Sequence, residues 1–102
     1  MATMKFTTAN FDTEALQSNV PVLIDFYADW CGPCRMVSPI VDQIASEGGN
    51  FKVGKVDVDS YPELAAKYGV MSIPTLIVLK DGKVAQQAVG ARSKEQILKM
   101  LQ

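Results

Sequence analysis

The sequence predicts an α/β domain built on a mixed, mainly parallel sheet, and three observations carry that expectation. Strand-like apolar segments alternate with segments of helical apolar spacing in the order βαβαβαββα, five strands and four helices, as in a parallel sheet covered by helices. The run Val22 to Ala28 is almost wholly apolar, as a strand buried on both faces should be. The pair Asp81-Gly82 accepts the positive φ values of a type I′ hairpin, so the last two strands run antiparallel.

In chain order, Lys5-Phe6-Thr7 reads as a short first strand. Asn10 is placed to cap a helix over Phe11-Asp12-Thr13-Glu14-Ala15-Leu16, whose acids sit early, where a helix start favours them. Asn19 and Pro21 end that helix. The apolar strand follows with one anomaly, Asp25 in its middle. From Pro33 onward, Val37, Ile40, Val41 and Ile44 fall at helical spacing until Gly48-Gly49 stops the helix. Pro39 inside it crowds the carbonyl of Arg35 and predicts a kink. Phe51 to Val58 is the third strand, with Val53, Lys55 and Asp57 on one face. Ser60-Tyr61-Pro62-Glu63 has the form of a capping box for a short helix through Lys67, closed by Gly69. Thr75 to Leu79 and Val84 to Val89 are the strands of the hairpin. Ser93-Lys94-Glu95-Gln96 offers a second capping box ahead of Ile97, Leu98 and Leu101, the apolar face of the last helix.

Residues 1–102 are expected to form one domain, long enough to bury a core without a cross-link or metal. The net charge is −1 and the 10 basic residues are scattered, which argues against a nucleic-acid partner. The N-terminus lacks the apolar core of a secretory signal. The longest apolar run, broken by Asp25, is too short to span a bilayer. These features lead to the expectation of a cytoplasmic monomer with no membrane partner. Cysteines in that compartment are more often catalytic or metal-binding than structural.

The functional signal lies where the apolar strand gives way to a helix. Cys31 and Cys34, the only cysteines, stand two residues apart at the helix start, beside the only tryptophan, Trp30. Such a pair can close into a small disulfide ring and reopen, the chemistry of dithiol–disulfide exchange. Thiolate is the reactive species, and a helix N-terminus favours it over the free thiol, whose pKa is near ~8.5. Two alternatives stand beside this reading. A zinc site generally needs four ligands, and the chain has no histidine and no further cysteine. A structural staple closing so short a loop removes little unfolded-state entropy. Asp25, among apolar neighbours, is expected to be buried with a raised pKa, which suits a group that works as acid and base near neutral pH. A purely structural buried carboxylate is its alternative.

Trp30-Cys31-Gly32-Pro33-Cys34 resembles the active-site motif of the thioredoxin family. The likeness extends in order through Asp25, Pro39, Lys55, Ile73-Pro74-Thr75, Asp81-Gly82 and Val89-Gly90-Ala91, and so covers the chain. The resemblance implies the thioredoxin fold, a five-stranded mixed sheet flanked by four helices, and the activity of a protein-disulfide reductase. It implies that Cys31 attacks a substrate disulfide, that Cys34, farther from solvent, resolves the mixed disulfide, and that Asp25 exchanges a proton with Cys34. Lys55 resembles the family's lysine near that aspartate, where it would oppose the burial shift; an exposed strand lysine is the open alternative. Pro74 resembles the family's cis-proline opposite the dithiol. Trp30, Gly32, Pro33, Ile73, Pro74, Gly90 and Ala91 would then shape the docking surface, with the backbone of Ile73 pairing to the incoming peptide. No bound cofactor or metal is implied, only a redox-active disulfide. Its implied partners are disulfide-containing client proteins and a thioredoxin reductase, NADPH- or ferredoxin-linked. Tyr27, where many members carry a second tryptophan, and Met71-Ser72 depart from the family pattern. An oxidant or isomerase of the same fold, or a docking module, are competing functions; the Gly-Pro between the cysteines and the intact Asp25 argue against them.

Overall fold

The strand that reads as buried on both faces is the centre of the sheet. In the computed structural model, which describes residues 3–102, β2 (Val22–Tyr27) lies between β3 (Lys52–Asp57) and β4 (Thr75–Lys80). With β1 (Met4–Lys5) and β5 (Lys83–Val89) the spatial order is β1-β3-β2-β4-β5. β1 and β2 both pair parallel to β3, whereas β4 runs antiparallel to β2 and β5 antiparallel to β4. The sheet is therefore mixed as expected, but less parallel, because β4 as well as the hairpin reverses direction.

Four helices flank it: α1 (Asp12–Leu16), α2 (Gly32–Glu47), α3 (Pro62–Lys67) and α4 (Lys94–Met100). Side chains alternate across each strand, so each face has its own core. On one face Leu23, Val53, Leu76 and Val78 pack against Val37, Val41 and Ile44 of α2 and Ile97 of α4. On the other, Ile24, Phe26, Val56 and Ile77 meet Phe6, Phe11, Leu64 and Ala65. Asp25 shares the parity of Leu23 and so belongs to the face covered by α2.

The hairpin forms as expected, with φ of 54° at Asp81 and 77° at Gly82. The Ser93 capping box forms too. Gln96 N–H donates to Ser93 Oγ at 3.2 Å, and Ser93 N–H donates to Gln96 Oε1 at 2.9 Å. Pro39 sits within an unbroken helical span, Gly32–Glu47. Three local expectations are corrected. The first strand is Met4–Lys5 rather than residues 5–7, although Phe6 N–H still bonds Lys55 O at 2.8 Å. Asn10 does not cap α1; its side chain turns back, accepting from Thr7 N–H and donating to Lys5 O, and α1 is a single wide turn closed by Gln17 N–H to Asp12 O. Ser60 does not cap α3 either, because Tyr61 takes the N-cap position ahead of Pro62.

Gly54 ties the edge to the centre, pairing with Met4 on one side and Ile24 on the other. A Cβ there would run into the ring of Phe6. Gly54→Ala is expected to destabilise the fold by about 1–3 kcal/mol through overpacking. In a Phe6→Ala background its cost should be smaller, as denaturant midpoints of the double-mutant cycle will show.

Candidate functional site

β2 ends at Tyr27 and α2 begins at Gly32, and the turn between them is closed by Cys31 N–H donating to Ala28 O at 3.1 Å. Cys31 is the N-cap of α2. Its backbone is extended (φ −85°, ψ 113°), and Sγ accepts the N–H of Cys34 at 3.2 Å. A sulfur thus occupies the place usually taken by a capping oxygen, facing a donor that the first helical turn leaves without an intrahelical partner. Gly32 and Pro33 fill the first two helical positions, where a proline's missing N–H costs nothing. Cys31 and Cys34 are bonded to each other, with Cα atoms 5.3 Å apart, inside the range that disulfides adopt. Each cysteine is 3% exposed, so exposure does not rank them, contrary to the expectation that Cys34 lies farther from solvent.

The Ile73–Pro74 bond is cis. Ile73 packs on the cysteine pair together with Tyr27 and Val58, and its carbonyl oxygen lies 3.7 Å from Cys31 Sγ. Pro74 O accepts the N–H of Gly90 at 2.8 Å, which binds the end of β5 to this loop. Ala91 follows, facing Met36, Val37 and Ile40 of α2 across a groove. Trp30 is 68% exposed, and its indole N–H donates to Asp59 Oδ2 at 2.8 Å. Arg35, the cation nearest the pair in sequence, donates to the backbone oxygen of Asp29.

On the sheet face covered by α2, Asp25 is fully buried and neither carboxylate oxygen has a hydrogen-bond partner among the described residues. Burial pushes its pKa from 3.8 up to about 6, with the Lys55 ammonium acting against that shift and Asp42 adding to it. Lys55 stands beside Asp25 in register on β3, but its Nζ bonds Ser38 Oγ and pairs with Asp42 Oδ1 at 3.0 Å. Lys55 is therefore a half-buried cation held by α2, and the reading as an exposed strand lysine is excluded. Ser38 lies one turn beyond Cys34, which puts both on the helix face over Asp25. A cleft of about 150 Å³ lined by Tyr27, Cys34 and Ser38 among others has room for several waters.

The sequence-predicted residues thus converge, apart from any direct hydrogen bond between Asp25 and Lys55 or a cysteine. Sequence reasoning missed Ser38, Asp42, Val58 and Asp59. The first two had a signal, since Cys34, Ser38 and Asp42 repeat at four-residue spacing on one helix face. Asp59 had none, being 29 residues from Trp30.

The thioredoxin family model matches residues 2–102. The chain belongs to the thioredoxin family. It is 50% identical to a thioredoxin of Mycobacterium tuberculosis over 101 residues, covering 98% of this chain and 87% of the relative. It is 47% identical over 102 residues to thioredoxin 1 of a Nostoc species, covering 99% and 95% of the two chains. A bifunctional thioredoxin reductase/thioredoxin of Mycobacterium leprae is 47% identical over 100 residues, 97% of this chain and 22% of that one. With that membership and the Cys31–Cys34 pair at bonding distance, this thioredoxin-family chain is a dithiol–disulfide oxidoreductase whose redox centre is the disulfide itself. Among the described residues no cluster of histidine, cysteine or acid could hold a metal, and no helix is long and apolar enough to cross a membrane.

The raised pKa of Asp25 sets a sign for stability. Between pH 3.8 and about 6 the native state keeps a proton that the unfolded chain has released, so stability falls as pH rises through that window. At about 1.4 kcal/mol per pH unit, the full cost is about 3 kcal/mol above it. Denaturant melts at pH 4 and pH 8 should show Asp25→Ala gaining about 2.5 kcal/mol on the parent between the two, part of the cost being already present at pH 4. An unchanged difference would mean that the carboxylate is fully compensated.

Proposed function

We propose that this chain, as one monomeric domain, reduces protein disulfides, with Cys31 as the attacking thiol and Cys34 as the resolving one. The observation that carries the assignment is the N–H of Cys34 aimed at Cys31 Sγ. Together with the helix N-terminus it favours negative charge on Cys31 in the reduced state. The Cys31 thiolate attacks one sulfur of the client disulfide, forming a mixed disulfide and expelling the other client sulfur as a thiolate. Cys34 gives up its proton and attacks Cys31 Sγ. The Cys31–Cys34 bond forms, the mixed disulfide breaks, and the client leaves with two electrons and, after proton uptake, two thiols.

The proton of Cys34 needs an acceptor, and Asp25 is the candidate. It is buried on the face beneath α2, has no partner of its own, and has a pKa near enough to neutrality to take the proton and return it. Asp25 makes no hydrogen bond to either cysteine, so the proton would pass through water rather than by direct contact. Lys55, held by Ser38 and Asp42, keeps that pKa from rising further.

The client lies across Trp30, Gly32, Pro33, Ile73, Pro74, Gly90 and Ala91. A Cβ on Gly32 would meet nothing within this chain, so packing does not explain the glycine, whereas close approach of a client would. The backbone of Ile73, beside Cys31 Sγ, is placed to pair with an extended peptide. Re-reduction falls to a thioredoxin reductase, NADPH- or ferredoxin-linked, a coupling that finds support in the bifunctional thioredoxin reductase/thioredoxin of Mycobacterium leprae. The proposed setting is the cytoplasm.

Trapping tests the roles. Reduced Cys34→Ser should accumulate a disulfide-linked adduct with insulin, visible on a non-reducing gel, and Cys31→Ser should not. Both variants should lose nearly all NADPH-coupled insulin reduction when a thioredoxin reductase is supplied. Adducts formed through Cys34 alone would reverse the assignment.

A further inference from the structure

The groove between α2 and the segment after β5 continues the client surface beyond Ala91. It has a volume of about 290 Å³, and Met36, Val37, Ile40, Ala91, Arg92 and Ser93 line it. Its floor is apolar, and Met36 at its edge is 70% exposed. The guanidinium of Arg92 stands at the rim. Its Nη1 donates to Ala91 O at 3.0 Å and lies 3.6 Å from where a Cβ on Gly90 would be, so the cation overhangs the residue bonded to Pro74. No described carboxylate pairs with Arg92, whereas nearby Lys94 is neutralised by Glu47 at 2.6 Å. Acids gather around Trp30, with Arg35 held on the backbone oxygen of Asp29 among them. Asp59 holds Trp30, Asp57 accepts the N–H groups of Asp59 and Ser60, and Asp29 adjoins Trp30 in the chain.

The geometry points to Arg92 as a specificity-determining residue that selects client segments carrying a carboxylate and an apolar side chain close to the reactive cystine. The inference rests on the client-docking reading above and adds to it the chemistry and orientation of the client. A client side chain on the Met36–Ile40 floor displaces water from apolar surface. A carboxylate beside it meets the one unpaired cation at that rim and avoids the acids beside Trp30. A basic residue in the same place meets Arg92 as a like charge and is disfavoured. The groove therefore fixes which way the client lies as well as which client is taken.

The test uses short cystine-bridged peptides with a leucine near the reactive cystine and either Glu or Lys next to it, on each side in turn. Second-order reduction rates are measured for the reduced parent, Arg92→Gln and Arg92→Glu. For a partly exposed ion pair, the parent should prefer the Glu peptide by roughly threefold on one side of the cystine. The preference should vanish in Arg92→Gln, invert in Arg92→Glu, and shrink in high salt. The same proteins are also run against bis(2-hydroxyethyl) disulfide, which has no charge to read. An equal change with that compound would assign the effect to the cysteines and overturn the inference. A Glu-to-Lys ratio indifferent to residue 92 would overturn it while leaving client docking intact. A parent that reduces the small disulfide but none of the peptides would bring down the docking reading itself.

Discussion

A carboxylate carried through the driest layer of the fold is the constraint on which the rest of this site depends. β2 has to be apolar to sit between β3 and β4, and Asp25 interrupts it with a group that has no hydrogen-bond partner. An ionised carboxylate there costs about 3 kcal/mol, a sizeable share of the roughly 5–15 kcal/mol that a domain has to spare. A direct ion pair with Lys55 would remove much of that cost and lower the pKa with it. Instead Ser38 and Asp42 of α2 hold the ammonium, so its field reaches Asp25 while its hydrogen bonds do not. Asp42 in turn stays ionised: desolvation acts to raise its pKa, but hydrogen bonds from Thr3 and Lys55 hold it below the ordinary value.

The same helix that sets this balance presents the dithiol. Its first turn supplies the N–H aimed at Cys31, its next turn supplies Ser38, and its apolar stripe pins it to Leu23, Leu76 and Val78. The cysteines thus sit on an element whose position is fixed by core packing, not on a free loop. The opposing wall is fixed in another way, through Gly90 bonded to Pro74 and Thr75 Oγ1 bonded to Ser72 O. Both walls of the proposed docking site thus rest on packed or hydrogen-bonded elements of the fold.

Many patterns that depend on neighbours within a few residues were legible in the sequence. The Asp81-Gly82 turn, the Ser93 capping box, the buried β2 run and the helix after Pro33 are all short-range patterns, and each formed. Equally local patterns failed where a competing bond took the group first. Asn10 was claimed by Thr7 and Lys5, and Ser60 lost its capping role because Pro62 set the helix start one residue later while Asp57 took the Ser60 N–H. The motif fixed the identity of the site, but the grip of α2 on Lys55, the tie from Trp30 to Asp59 and the direction of β4 come from tertiary packing. The similar exposure of the two cysteines likewise follows from the closed ring and the Ile73 wall, which spacing alone does not describe.

The central claim is that Asp25 remains poised to carry a proton because its burial is only partly compensated. Its carboxyl resonance in the oxidised protein, followed by carbon-13 NMR through a pH titration, tests that claim most directly. The account predicts a midpoint raised from 3.8 to about 6. A midpoint at or below 3.8 would show a satisfied carboxylate and contradict the account.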